Sequence, residues 1–246
     1  MKIFYCLLFS LFVSVYANAQ TKSGAFIENI LVKNVNTLNK DIFQNPAKYK
    51  LQIVYTQIDR DKNNHPKFTT FTYRTALNEY FYPASTIKIY SVALSLEKIN
   101  RLGIKGLDFK DIMLTDSSYA GQTAVKSDST AENLRPSIAH YIKKVLVTSD
   151  NDGHNRLYEF VGQKDFNEQL KSRGYANTRI THRLSVPLST EQNKHTNAIS
   201  FYDRQTNALL YEQKPAANTI DYAFKGSIPL GKGYVKGEEM INKPME

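Results

Sequence analysis

The chain has 246 residues, a formal net charge of +9 and a single cysteine, Cys6. Because that cysteine lies in the first ten residues, the rest of the chain can hold no disulfide, no thiol nucleophile and no cysteine-ligated metal. The basic balance would suit an anionic partner, but no helix-turn-helix, zinc-finger or RNP-like pattern accompanies it, and no nucleic-acid role is expected.

Met1 and Lys2 precede the apolar run Ile3 to Val15, and Ala17-Asn18-Ala19 before Gln20 matches a small-residue cleavage pattern. Residues 1–19 therefore read as a secretory signal peptide. The run is shorter than the roughly 20 apolar residues that span a bilayer. An exported protein, periplasmic or secreted and without stable membrane insertion, is the expectation. Residues 20–246 then form the mature chain, long enough for one sizeable core.

Ala25 to Asn36 carries Phe26, Ile27, Ile30, Leu31 and Val35 at helical spacing. Leu51 to Ile58 and Phe68 to Arg74 are rich in β-branched and aromatic residues, and the polar stretch Asp59 to Pro66 between them predicts a hairpin. Pro83-Ala84-Ser85 leads into a helix through Ile99 that is apolar over most of its surface. Gly103 to Pro136 reads as loop. Helices are predicted over Ile138 to Val147, His154 to Val161 and Lys164 to Ser172, with a break at Thr148 to Gly153 and a stop at Gly174. Ala198 to Tyr202 and Ala208 to Tyr211 flank a polar turn and predict a second hairpin. Strands first, helices in the middle and strands again give an α+β arrangement: a sheet lobe with an inserted helical lobe. The expected divisions are 20–84 for the sheet lobe, 85–190 for the helical lobe and 191–246 for a partial return to the sheet.

Two Ser-x-x-Lys patterns occur, Ser85-Thr86-Ile87-Lys88 and Ser95-Leu96-Glu97-Lys98. Alone the pattern is weak. Ser95 falls inside an apolar helix and reads as a packed small residue. Ser85 falls at a helix start, where a serine either caps the helix or serves as a nucleophile. The spacing i, i+3 places Lys88 on the same helix face as Ser85, within reach of its hydroxyl. The helix N-terminus favours developing negative charge on the serine oxygen, and a desolvated lysine gives up its proton more readily and can act as base. The second constellation is Ser149-Asp150-Asn151, in the break between two helices. It reads as a turn and helix cap, or as a functional loop.

Ser-x-x-Lys, Ser-Asp-Asn and Lys-Thr-Gly together mark class A β-lactamases and penicillin-binding proteins. The first two occur here in that order, and the segments Phe81 to Lys88, Ser149 to Leu157 and Phe166 to Arg179 resemble that family, with the likeness running over about Leu51 to Pro187. The resemblance implies a β-lactamase or transpeptidase-like α+β fold and a serine hydrolase that forms an acyl-enzyme on Ser85. It implies Lys88 as proton partner, Ser149 as proton carrier to the leaving nitrogen and Asn151 as holder of the substrate amide. It also implies a bracing role for Asp150, the Ser85 N–H as an oxyanion donor, and no cofactor or metal. The expected partners are a β-lactam or a cell-wall peptide, met by a monomer.

Two departures stand out. The class A family carries a water-activating glutamate in the loop after the Ser-Asp-Asn helix, whereas Arg183 to Ser189 contains no carboxylate and Glu191 is out of register. Lys-Thr-Gly is absent. Lys225-Gly226-Ser227 has the wrong order and reads as turn chemistry, so the family's closing strands are expected beyond Glu246 in a longer protein. Hydrolysis of β-lactam-type cyclic amides is the leading expectation; a D,D-peptidase or related amide hydrolase on cell-wall peptides, and a non-catalytic binding relative, are the alternatives. No Gly-x-Ser-x-Gly elbow exists, and His65, His140, His154, His182 and His195 show no metal spacing. Tyr119 is either a cleft aromatic or a plain loop residue.

Overall fold

The computed structural model describes residues 20–22, 24–37, 39–75, 80–222, 233–236 and 238–243. The leader segment 1–19 and Lys225-Gly226-Ser227 lie outside them. The chain divides into two compact units, residues 1–82 and 83–246.

In the first unit, β1 (Gln20–Lys22), β2 (Ile53–Arg60) and β3 (Pro66–Tyr73) form a sheet of order β1-β3-β2. The predicted hairpin pairs antiparallel from Ile53↔Tyr73 to Arg60↔Pro66, and β1 runs parallel to β3. Asp61 closes the hairpin by accepting from the Asn63 and His65 N–H groups, both at 2.8 Å. Helix α1 (Ala25–Lys33) lays Phe26 on Phe71, ring centroids 4.6 Å apart, with Tyr55 6.0 Å from both. Gly24 permits that approach, because a Cβ there would stand 2.7 Å from the Thr72 carbonyl oxygen. A short helix, α2 (Lys40–Gln44), follows α1.

In the second unit a 3₁₀ turn, Ala84–Ile87, runs straight into α3 (Lys88–Leu102), which ends at Gly103 in the left-handed conformation at φ 62°. The stretch expected to be loop contains a strand, β4 (Ile112–Thr115). Its four residues are too few for a period-2 signal, and their pairing with β5 (Ile199–Tyr202) is fixed by tertiary context. Strand β6 (Leu209–Gln213) completes the second predicted hairpin, giving an antiparallel sheet of order β4-β5-β6. Four further helices are α4 (Ile138–Thr148), α5 (Asn151–Val161), α6 (Gln163–Ser172) and the single turn α7 (Thr190–Lys194). Strands β7 (Tyr234–Lys236) and β8 (Glu239–Ile241) make a small hairpin of their own.

Helix α5 is the axis of this unit. Every residue from Gly153 to Val161 is buried, so its surroundings and not amphipathicity define it. Leu157 and Phe160 enter one core with Val92, Ile99, Met113, Tyr141, Ile199 and Phe201. Tyr158 and Val161 enter another with Ile87, Leu94, Phe166, Leu170 and Ile180. The architecture is the α+β arrangement the sequence implies. No helix among the described residues is long and apolar enough to cross a membrane.

Candidate active site

The turn before α3 is built from Pro83, whose φ of −79° and ψ of −12° start it, and Ala84, which takes a left-handed φ of 47°. A non-glycine residue in that region costs about 1–3 kcal/mol and is a feature of functional turns. Local capping falls to Thr86, whose N–H (3.1 Å) and hydroxyl (2.5 Å) both donate to the Pro83 carbonyl. Ser85 makes no side-chain cap: its residue is exposed, and among the described residues its hydroxyl has no hydrogen-bond partner. The simple N-cap reading of Ser85 is therefore not what the turn uses. Its N–H precedes the first hydrogen bond of the turn, the position where helical donors have no internal acceptor.

Lys88, one turn on, is only 2 % exposed. Its ammonium donates to the Ser149 carbonyl oxygen and, at 3.1 Å, to Ser149 Oγ. Burial holds its pKa below the ordinary lysine value, and the Asp150 carboxylate opposes this. The structure thus brings Lys88 and Ser149 together across two elements, while no hydrogen bond joins Lys88 to Ser85.

Ser149 reaches Lys88 because it ends α4 with a left-handed φ of 55°. The carbonyl of Lys144 takes both the Ser149 N–H and, at 3.3 Å, the Asp150 N–H. Asp150 then caps α5, its Oδ1 accepting from the Gly153 N–H at 2.6 Å, with the Lys144 ammonium at 3.7 Å. Gly153 is required at this crossing: a Cβ there would lie 3.2 Å from the Tyr141 carbonyl oxygen and 3.3 Å from Lys144 Cβ. Helix α5 accordingly starts at Asn151, three residues before the expected His154, because Asp150 supplies the cap.

Asn151 Nδ2 donates to Ser185 Oγ at 2.7 Å. One turn along α5, Asn155 grips the backbone of the next-door residue from both sides: Nδ2 donates to the Leu184 carbonyl at 2.9 Å and Oδ1 accepts from its N–H at 2.7 Å. Arg183 anchors the same loop from beneath. Its Nε lies 2.7 Å from Glu159 Oε1, and its Nη2 donates to the His195 carbonyl and Asn197 Oδ1. The other Glu159 oxygen faces Arg156 Nη1 at 2.9 Å, and Arg156 also ties down Thr123. A buried Arg–Glu–Arg triad therefore fastens the loop to α5. Asn155, Ser185, Glu159 and Arg183 escaped the sequence reading because no local pattern marks them; the four-residue stagger from Asn151 to Asn155 is the one available signal.

Behind Lys88, Ser91 Oγ donates to the Lys88 carbonyl at 2.7 Å and lies 3.0 Å from His154 Nδ1. With its proton so committed, Ser91 accepts from an Nδ1–H, which leaves His154 Nε2 as a buried acceptor without a partner among the described residues. Burial first, and the Lys88 charge second, push His154 down to about 4. The second Ser-x-x-Lys has another fate. Ser95 is wholly buried against the Leu157 carbonyl, and Lys98 closes the C-terminus of α5 on the Phe160 and Val161 carbonyls and Gln213 Oε1. Tyr119 lies flat on the His195 ring, centroids 3.6 Å apart and 6° from parallel.

The family model of the beta-lactamase enzyme family matches residues 34–210, well over half of the chain. The chain belongs to that family. No curated protein and no solved structure matches it. For a β-lactamase-family protein, the absent loop carboxylate is a structural fact: the residues facing Asn151 and Asn155 are Ser185 and Leu184. Glu191 is occupied on its own helix, with Lys194 and His195 each 3.3 Å from its carboxylate.

Proposed function

We propose that this β-lactamase-family hydrolase opens cyclic amides of β-lactam type through an acyl-enzyme on Ser85. The observation that carries this reading is the pairing of an exposed, unbonded Ser85 hydroxyl with a buried Lys88 fixed on both oxygens of Ser149. Unprotonated Lys88 takes the Ser85 proton as Oγ attacks the lactam carbonyl carbon. The Ser85 N–H stabilises the oxyanion that forms. Collapse breaks the carbon–nitrogen bond, and the proton passes from Lys88 through Ser149 to the leaving nitrogen. Asn151 holds the substrate amide. Water then cleaves the ester, slowly, because no carboxylate lies in residues 183–189 to activate it.

Benzylpenicillin and intact-mass spectrometry test this. Ring opening expels nothing, so the protein gains the whole antibiotic mass, and Ser85→Ala gains none. An adduct that persists for minutes or longer favours the second reading, a D,D-peptidase or related amide hydrolase on cell-wall peptides. That reading draws support from the same missing carboxylate. No adduct at all favours a binding relative without catalysis. The leader-like N-terminus supports export to the periplasm or beyond, and a mature protein beginning at Gln20 is the corresponding expectation.

A further inference from the structure

Asn151 and Ser185 form an exposed polar pair with unused capacity. Asn151 Nδ2 spends one proton on Ser185 Oγ, 2.7 Å away. Asn151 Oδ1 accepts nothing among the described residues, and the Ser185 hydroxyl proton has no acceptor among them either. The pair therefore offers one donor and one acceptor side by side, the complement of a secondary amide. The loop is built to hold Ser185 there. Asn155 fixes Leu184 by two hydrogen bonds, Arg183 is fastened to Glu159, and Ser185 sits between them at a left-handed φ of 56°, a conformation a non-glycine residue keeps only when its neighbours enforce it.

Resting on the acyl-enzyme reading above, we infer that Ser185 is a specificity-determining residue that reads a secondary-amide substituent on the substrate. Its hydroxyl donates to the carbonyl of that amide, while Asn151 Oδ1 accepts from the amide N–H. Substrates with an acylamino arm beside the reacting ring are preferred over those with a bare amine at that place.

The test compares acylation rates, followed by intact mass, for benzylpenicillin and for 6-aminopenicillanic acid, which shares the bicyclic ring and has a free amine instead of the acylamino arm. Ser185→Ala is expected to slow benzylpenicillin about five- to tenfold, the span of one neutral hydrogen bond. It should leave 6-aminopenicillanic acid within about twofold, since that substrate has no amide for the hydroxyl to meet. Ser185→Gly relieves the backbone strain while also lacking the hydroxyl, so it should show the same discrimination in a fold at least as stable. Equal slowing of both substrates, no slowing of either, or full recovery in Ser185→Gly overturns the inference, since each assigns the residue to loop shape. Wild-type protein that acquires no adduct from either compound overturns the acyl-enzyme reading itself, and this inference falls with it; an adduct with unchanged discrimination overturns the inference alone.

Discussion

The two Ser-x-x-Lys turns lie ten residues apart on one continuous helical stretch and end in opposite roles. Ser85 and Lys88 stand at its N-terminal end, with the serine in solvent and the lysine turned onto the Ser149 loop. Ser95 and Lys98 stand in its middle, with the serine sealed against α5 and the lysine closing that helix's last carbonyls. The pattern is identical and the spacing is identical, so neither can carry the chemistry. What differs is the environment: a strained turn that leaves the hydroxyl unspent, against a packed helix that spends it.

Swapping each lysine for methionine separates the two most sharply. Lys88→Met removes the proposed base and is expected to slow acylation by about 10²–10⁴-fold, read by intact mass. Its fold should be retained, since a buried amine is exchanged for an apolar side chain of similar length. Lys98→Met should leave acylation untouched. It strands the acceptors at Phe160, Val161 and Gln213, and relief of a partly desolvated amine, held at about 8 by burial, offsets part of that. A net loss of about 1 kcal/mol in a denaturant titration is expected. Acylation lost in the second variant and kept in the first would reverse the assignment.

The next effect bears on the helix both turns pack against. Glu159 is the shared anion of Arg156 and Arg183, and Glu159→Gln leaves two buried guanidiniums without it. A loss of about 3–5 kcal/mol is expected from thermal or denaturant unfolding. Because Arg183 precedes the loop that touches Asn151 and Asn155, acylation should slow as well. A variant that is destabilised and acylates at the wild-type rate would show that the triad holds the fold without holding the site.

His154 gives a pH signature on the Ser85–Lys88 side alone. Its folded value of about 4 lies below the ordinary 6.5, so between those values the unfolded chain binds the extra proton and stability rises with pH. The contribution is whole above pH 6.5 and is lost as pH falls towards 4, a span worth about 3 kcal/mol. His154→Gln keeps a donor for Ser91 and cannot titrate, so its stability should be flatter over that window. An unchanged slope would place the acid sensitivity on other groups.

Much of this was legible beforehand, for reasons that differ by element. Both hairpins carried β-rich segments around polar turns, and α3, α4 and α6 carried periodic apolar residues with recognisable ends. The left-handed turns at Ser149 and Ser185 were not legible, because each is imposed by hydrogen bonds from another element: Lys144 for the first, Asn155 and Arg183 for the second. For the same reason Ser85, Lys88, Ser149 and Asn151 could be named from spacing while the contacts of Asn151 could not. Strand β4 and helix α7 were too short to leave a periodic trace, and α7 is held by a Ser189–Gln192 capping box whose first half is a single serine in a polar run.

The smallest effect is the one that closes the comparison. Ser95→Ala deletes a hydroxyl whose contact with the Leu157 carbonyl is 3.5 Å, at the outer limit of a hydrogen bond. Alanine fills nearly the same space and favours the helix, so the change should fall within about 0.5 kcal/mol of wild type. Acylation should be unaffected. Ser85→Ala, by contrast, should also leave stability within about 0.5 kcal/mol, because an exposed and unpaired hydroxyl contributes nothing to the fold, and yet abolish the adduct. Two alanine substitutions, equal in stability and opposite in chemistry, are what the two turns require if environment decides their roles. A stability loss of several kcal/mol for Ser85→Ala would mean that its hydroxyl is spent on structure after all.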